Sequence, residues 1–359
     1  MPFKPIPSSS LKSISTSADQ HSFTVNYLIN SCGLSPETAI SPSKRVNFKN
    51  LEKPDSVLNL FKSHGFSKTQ ISTITRKIPE LLLSDPKEIL LPKFDFFYTT
   101  GISSTELLKI VSISPGILHR SLKNQIIPSF NLLKNIFGLD DNFMAAFKRF
   151  PGMVCRDHSA TTFPSTEILR QHGVPYSNIV YLLTHQPRSL MIVKPDRFKE
   201  VVEDVKKMGL NPSQSLFVLA VVALTSMSKS TWIRKMEVYE KWGWSEEETI
   251  LAFTRFSWCM TVSVEKLMAV LNFYVNTMGW KSSLIARDPI LLSMSLGKRI
   301  ISRCSVLQVL LSKGLIKKPI NAATLLKYTE SLFLKKFVMC YEETPQLLKL
   351  YHKKLDLTK

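Results

Sequence analysis

Nine glycines recur along this chain at a nearly constant interval, and that interval constrains the fold more than any other feature. Gly33, Gly65, Gly101, Gly138, Gly173, Gly209, Gly243, Gly279 and Gly314 are separated by 32, 36, 37, 35, 36, 34, 36 and 35 residues. An apolar residue follows each of them: Leu34, Phe66, Ile102, Leu139, Val174, Leu210, Trp244, Trp280 and Leu315. Glycine enters the left-handed conformation that closes a helix, and an apolar residue behind it packs back on the last turn. N-capping residues come next at Ser35, Ser67, Ser103, Asp140, Asn211 and Ser245. Ser67, Ser103 and Ser245 open capping boxes with Gln70, Glu106 and Glu248. Ser35-Pro36 and Asn211-Pro212 put proline at the first helical position, where its missing N–H costs nothing. One helix therefore stops and another starts at each glycine.

A second mark falls mid-unit. Pro79, Pro115, Pro151 and Pro187 lie 14, 14, 13 and 14 residues after their glycines. Proline disfavours helical geometry in the residue before it, so the first helix of each unit ends there and a longer one follows. In the unit from Gly65, Ile71, Ile74 and Ile78 fall at helical spacing, as do Ile89, Leu90, Phe94 and Phe97 later. The expected fold is an all-α superhelical solenoid of about eight helical repeats, each ~35 residues long. Length alone would suggest two or three domains; the repeat makes residues 23–359 one continuous stack instead.

Residues 1–22 lie outside the pattern. They hold seven serines, Lys4, Lys12 and one acid, Asp19, with little apolar order. They read as a disordered terminus or a short organellar transit segment. The longest apolar run, Leu216–Leu224, is far shorter than the roughly 20 residues that span a bilayer, so a soluble chain with no membrane partner is expected. The five cysteines are scattered without a CxxC pair, which argues against a disulfide framework or zinc module. Cys155 and His158 form a lone CxxH. No phosphate-cradling glycine loop, GxSxG or HExxH is present. Glu246, Glu247 and Glu248 sit where acids favour a helix N-terminus. No catalytic residue, metal, cofactor or small-molecule substrate is expected.

The charge points elsewhere. Formal net charge is +19, a balance that suits a polyanionic partner, though basic surfaces also serve solubility. Residues 297–359 carry 13 basic against 4 acidic residues, a net +9. Two residues before the corner proline stand Lys77, Arg149, His185 and Arg287, with Arg255 at the same place ahead of Ser257. Equivalent positions of a regular stack line one face, so these side chains are expected to form a basic column. Cations are also favoured at helix C-termini for local reasons, and the sequence leaves both explanations open. Arg120 and Arg156 share a position five residues past their prolines, and Lys298, Arg299 and Arg303 lie in the basic end. Phe94, Phe97 and Phe273 are read as core rather than as stacking platforms.

The units GFSKTQISTITRKIPELLL…LPKFDFFYTTG, GISSTELLKIVSISPGILHRSL…IIPSFNLLKNIFG and DPILLSMSLGKRIISRCSVLQVLLSKGLI resemble the mitochondrial transcription termination factor (mTERF) family over about residues 23 to 350. Glycine, cap, corner proline and a second proline (Pro92, Pro128, Pro164) recur together. The opening FTVNYLINSCGLSPETAI is similar to the land-plant branch. Ala223 and Ser257 depart from the corner proline, Pro289 comes early, and Gly297 and Ser302 stand where the family usually has an acid and a proline. The resemblance implies two longer helices and a short third turn per repeat, and targeting to the mitochondrion or alternatively the chloroplast. It also implies double-stranded DNA binding, with an effect on transcription such as termination. Some plant members of the family act instead on intron splicing or ribosomal RNA.

Three functions compete. The first is a monomeric, non-enzymatic binder of organellar DNA, contacting phosphates through Lys77, Arg120, Arg149, Arg156, Arg255, Arg287, Lys298, Arg299 and Arg303. The second is an organellar RNA binder. The third is a protein-binding scaffold like the tetratricopeptide solenoids, whose W-x₂-L-G-x₂-Y pattern is missing here and whose function would not need the excess charge.

Overall fold

The computed structural model describes residues 23–138, 140–316, 322–341 and 344–356; the expectation for residues 1–22 lies outside them. All secondary structure among these residues is helical. By their internal contacts the described residues form two compact units, one of those up to 163 with 180–192 and the other of 164–179 with those from 193 onward. In chain order the helices are α1 (23–30), α2 (Pro36–Ser43), α3 (Glu52–Ser63), α4 (Lys68–Lys77), α5 (Leu91–Thr99), α6 (Ser104–Ile113), α7 (Gly116–His119), α8 (Ile127–Phe137) and α9 (Asp140–Arg149). There follow α10 (Thr162–Gln171), α11 (Tyr176–His185), α12 (Pro187–Met191), α13 (Pro195–Lys207), α14 (Ser215–Thr225), α15 (Lys229–Lys241) and α16 (Glu246–Arg255). The last are α17 (Val264–Asn272), α18 (Ser282–Arg287), α19 (Ser302–Ser312), α20 (Ala322–Lys327), α21 (Glu330–Phe337) and α22 (Thr344–Asp356).

The glycine series carries the backbone it implies. Among the described residues, positive φ occurs at those nine glycines alone, between 67° and 88°. At Leu34, Phe66, Ile102, Val174, Trp244, Trp280 and Leu315 the residue after the glycine closes the helix end. Phe66 N donates to Phe61 O at 3.0 Å, Ile102 N to Phe97 O at 3.2 Å and Trp244 N to Tyr239 O at 3.2 Å, the long return bond of a Schellman motif. Phe66 also packs on Phe61, Trp244 stacks on Tyr239 and Trp280 stacks on Tyr274. Leu315 N makes the same bond to Leu310 O at 2.9 Å, but its side chain is 38% exposed.

The capping boxes at Ser67, Ser103 and Ser245 are all formed, and Ser35 caps α2 through Thr38 N. Asn211-Pro212 behaves differently from expectation. Asn211 Oδ1 accepts from Ser213 N at 3.0 Å, so the segment turns once before α14 starts at Ser215. The short side-chain acceptor has offered the backbone a turn in place of the first helical turn.

At each corner the residue before the proline leaves the helical region, with φ and ψ of −136° and 74° at Ile78, −134° and 70° at Phe150, and −131° and 66° at Asp288. A 3₁₀ or short α turn follows: Pro79–Leu83, α7, Pro151–Cys155, α12 and Pro289–Ser293. Ser257 holds the same corner without a proline. Phe256 sits at −152° and 83°, and Ser257 Oγ donates to Phe253 O at 3.0 Å. Where Ala223 replaces the proline the corner is lost. Helix α14 runs through that position to Thr225, and α15 then leaves at 106°.

The second prolines have a consequence of their own. Proline at 92 or 128 cannot donate to the carbonyl four residues back, and the turn ahead of it widens to π geometry at Pro86–Leu90 and Leu122–Ile126. Leu90 is buried in ordinary helical spacing with Phe94 and Phe97, while Ile89, within the widened turn, is 44% exposed against expectation. Segment Leu296–Ile301 widens in the same way although Ser302 stands in for the proline.

Successive first helices pack on one another, α2 on α4 and α4 on α6 in one unit, α14 on α16 and α16 on α18 in the other. The corner turns stack beside them. In the first unit the core is aromatic: Phe97 stacks on Phe147, and Phe130 meets Phe143 edge-on at 4.6 Å. Phe94 and Phe97 are fully buried as expected, whereas Phe273 is half-buried and its neighbour Tyr274 fills the core. Among the described residues no single helix is long and apolar enough to cross a membrane.

The left-handed glycines make a direct test of what holds the repeat length. Gly101 has φ of 87°, and a Cβ there meets nothing within 4 Å, so Gly101→Ala isolates backbone strain. It is expected to cost about 1–2 kcal/mol in urea unfolding. Gly116→Ala, in equally open space without positive φ, should be neutral or slightly stabilising.

Candidate nucleic-acid interface

Lys77, Arg149, His185, Arg255 and Arg287 are each the last residue of a first helix, α4, α9, α11, α16 and α18. The off-helix residue that follows fixes the end at that place, so the cation always stands beside the unpaired carbonyls of a terminus. Three of them use that position to reach the next repeat. Lys77 Nζ donates to Ser112 O and Ile113 O at 3.3 and 3.2 Å, the C-terminus of α6. Arg149 Nη1 donates to Thr184 O and His185 O at 3.4 and 3.2 Å, the C-terminus of α11. In the second unit Arg255 Nη1 donates to Arg287 O at 3.4 Å, ending α18. Arg45 begins the series, giving Nη1 to Lys77 O at 3.1 Å and clasping Glu80 with Nε and Nη2 at 2.9 and 2.8 Å. Each cation thus neutralises the negative end of its neighbour's helix dipole.

A guanidinium has five N–H donors in a fixed fork. Arg149 and Arg255 each commit a single nitrogen to the neighbouring terminus, and both remain exposed. The local explanation is thus extended to the neighbouring repeat: one nitrogen serves as a structural cap on a side chain that stays exposed. Acids near the line are few and occupied. Glu80 is held by Arg45, and Glu106 by Lys148 at 2.7 Å. The Lys148 ammonium and the Ser103 backbone pull the Glu106 carboxyl down to about 2.

His185 and Arg287 differ from the rest. The Nδ1 of His185 donates to its own helix at Tyr181 O, 3.0 Å away, and its ring stacks on the exposed Tyr181 with centroids 4.4 Å apart. Arg287 is exposed, and only its carbonyl enters the ladder. Arg120 is exposed at the end of α7. Arg156 is half-buried with its guanidinium 5.4 Å from the Phe150 ring centroid, and its Nε has no partner. Burial raises the Cys155 thiol to about 11 against the opposing pull of Arg120, Arg156 and Lys93, which places these cations around one point of the first unit.

The lone CxxH is a packing feature. His158 is buried, its Nε2 donating to Met153 O at 3.0 Å while Nδ1 accepts from Thr162 Oγ1 at 2.8 Å. Both ring nitrogens are used within the fold. Among the described residues no cluster of metal-ligating side chains occurs.

A family profile for mTERF matches residues 58–223 and 217–334. The chain belongs to the mTERF family. A comparison with curated proteins finds no match. Membership makes the chain one of a family of non-catalytic, nucleic-acid-binding helical-repeat proteins of organellar gene expression. The two matches meet over residues 217–223, within the α14 helix that runs through its corner.

One expected contact of this mTERF chain is corrected. Arg303 is 2% exposed. Its Nη1 donates to Leu325 O, Leu326 O and Tyr328 O at 3.4, 3.1 and 2.6 Å, and its guanidinium lies 4.7 Å from the Phe333 ring centroid. Burial lowers its pKa. A side chain so enclosed cannot reach a phosphate, and composition alone could not separate it from Lys298, which is exposed, or Arg299, which is half-buried. Conversely, sequence periodicity misses Arg188, exposed and 5.2 Å from the Phe150 centroid. Its equivalents Glu80, Gly116 and Gly152 share no charge, so no periodic signal marks it.

Two outcomes follow from these placements. Arg303→Met should lower stability by about 2–3 kcal/mol in urea unfolding, because three carbonyls lose a charged donor. Lys298→Met should leave the unfolding midpoint almost unchanged. Burial holds the His158 ring below its ordinary 6.5, so in acid the unfolded chain binds the proton first. Stability is expected to fall as pH drops through 6.5 toward the folded value, and His158→Gln should flatten that part of the profile.

Proposed function

We propose that this mTERF protein is a monomeric, non-enzymatic binder of organellar double-stranded DNA that regulates transcription, termination included. Lys77, Arg120, Arg149 and Arg156 contact phosphates from the first unit, and Arg255, Arg287, Lys298 and Arg299 do so from the second. Arg188 joins the first set. One observation carries the reading: Arg149 and Arg255 cap a neighbouring helix with one nitrogen and keep exposed N–H groups on the same guanidinium. Phosphate contacts fix position on a duplex without reading sequence, so a held protein acts as a roadblock to a polymerase. The land-plant-like opening segment supports a plant organelle, the mitochondrion before the chloroplast, as the setting.

A second reading, organellar RNA, is favoured by one feature. Tyr181 is 41% exposed and stacked on His185, a face of the kind on which an unpaired base stacks.

Affinity for duplex DNA is expected to fall by about 10³-fold or more between 50 and 200 mM salt if six or more phosphates are contacted. Replacing Arg120, Arg287, Lys298 and Arg299, whose side chains cap no neighbouring helix among the described residues, together by Ala should reduce that slope while the protein stays folded by circular dichroism. A flat salt response, or unchanged affinity in the quadruple variant, would refute the assignment. Tighter binding to single-stranded RNA than to duplex, lost in Tyr181→Ala, would select the second reading.

A further inference from the structure

In this cationic chain one face of the second unit is of opposite character. Helix α15 turns Lys235, Val238 and Tyr239 inward. Its other side presents Trp232, Ile233 and Met236 as the floor of a groove of about 410 Å³ that runs to the start of α16, with Glu237, Glu240 and Glu246 on the rim. On the far side of Trp232 and Ile233 a second hollow of about 230 Å³ continues toward α13 over Met208 and Leu224, edged by Asp204 and by Arg197 and Lys229, both paired to Glu200. Ile233 is 57% exposed, more than any other isoleucine among the described residues. Trp232 is held edge-on against Phe253 at 5.2 Å, so the floor is rigid.

Glu237 and Glu240 have no capping role, and Glu246 stands in the first turn of α16. Glu248 closes the capping box with Ser245, but Glu237, Glu240 and Glu246 have no ion-pair partner at this surface among the described residues. Residues 236–248 carry five glutamates against Lys241 alone. A phosphate backbone is repelled by such a rim, whereas lysine or arginine side chains are drawn to it. Helix α15 is 13 residues long, or about 20 Å at 1.5 Å per residue, enough to receive three to four turns of a partner helix. An amphipathic helix laid in a groove places its apolar anchors on the floor and its polar flanks on the rim.

We propose that this groove is a docking site for a basic amphipathic helix of another protein, with Ile233 as its central apolar contact and Glu237, Glu240 and Glu246 as its charge partners. The site lets the chain hold a protein on a surface that excludes nucleic acid, and it stands independently of which nucleic acid the cationic residues take.

The test uses the full chain and a fluorescein-labelled synthetic 14-residue helix with leucines on one face and arginines on its flanks. Saturable binding by anisotropy is expected. It should weaken about tenfold or more in Ile233→Asp, and similarly in the Glu237→Gln, Glu240→Gln, Glu246→Gln triple variant, which leaves the floor untouched. A scrambled peptide and an analogue with glutamate in place of arginine should not bind. Equal binding by the scrambled peptide, or full affinity in either variant, would overturn the proposal. Concentration-dependent self-association of the full chain in sedimentation, abolished by Ile233→Asp, would assign the groove to a second copy instead. Normal salt-dependent duplex binding by Ile233→Asp separates failure of this inference from failure of the nucleic-acid reading.

Discussion

The bond on which this structure depends runs from a cationic side chain in one repeat to the terminal carbonyls of the next. It occurs along two lines. At the ends of first helices Lys77, Arg149 and Arg255 serve α6, α11 and α18. Among the second helices Lys93 donates to Leu118 O at 2.5 Å, Lys266 to Ser293 O at 2.7 Å, and Lys235 to Met260 O and to Val262 O, the latter at 2.6 Å. Gln125 reaches Cys155 O at 3.0 Å in the same manner. Each acceptor lies at the close of a helix or corner turn, where carbonyls have no partner of their own and the dipole is negative.

The second line is more enclosed than the first. Lys93 and Lys235 are buried, and burial lowers both pKa values. A buried cation without partners would be costly, and these are retained because the carbonyls they meet would otherwise be unsatisfied as well. Two liabilities cancel at one contact. The exposed line is weaker per bond but keeps cations in solvent, so much of the positive charge on the first-helix ends is there for architectural reasons before it is available to any polyanion.

The repeat itself was legible in the sequence because it rests on residues with unusual backbone chemistry. Positive φ needs glycine, and a helix stop needs a residue that cannot continue the ladder, so Gly101 and Pro79 announce their geometry by identity. The site was legible only in part. Lys77, Arg149 and Arg255 stand at a position the corner defines, but nothing local tells that their donors reach a terminus 32 to 36 residues away. Arg303 and Lys298 are both cations of the same basic end, and burial by α20 and α21 decides between them only once the chain is folded. Ile89 differs for another reason: it lies inside the widened turn, whereas Leu90, Phe94 and Phe97 keep the inward face their spacing announces.

The ladder has a direction. In Arg45 to Lys77, Lys77 to Ile113, Lys93 to Leu118, Arg149 to His185, Lys235 to Met260, Arg255 to Arg287, Lys266 to Ser293 and Arg303 to Tyr328, the donor precedes the acceptor in the chain. In each pair the earlier repeat carries the cation and the later one the bare carbonyls, so the chain is polar along its length: a fragment cut from the front would begin on a helix end stripped of its cation.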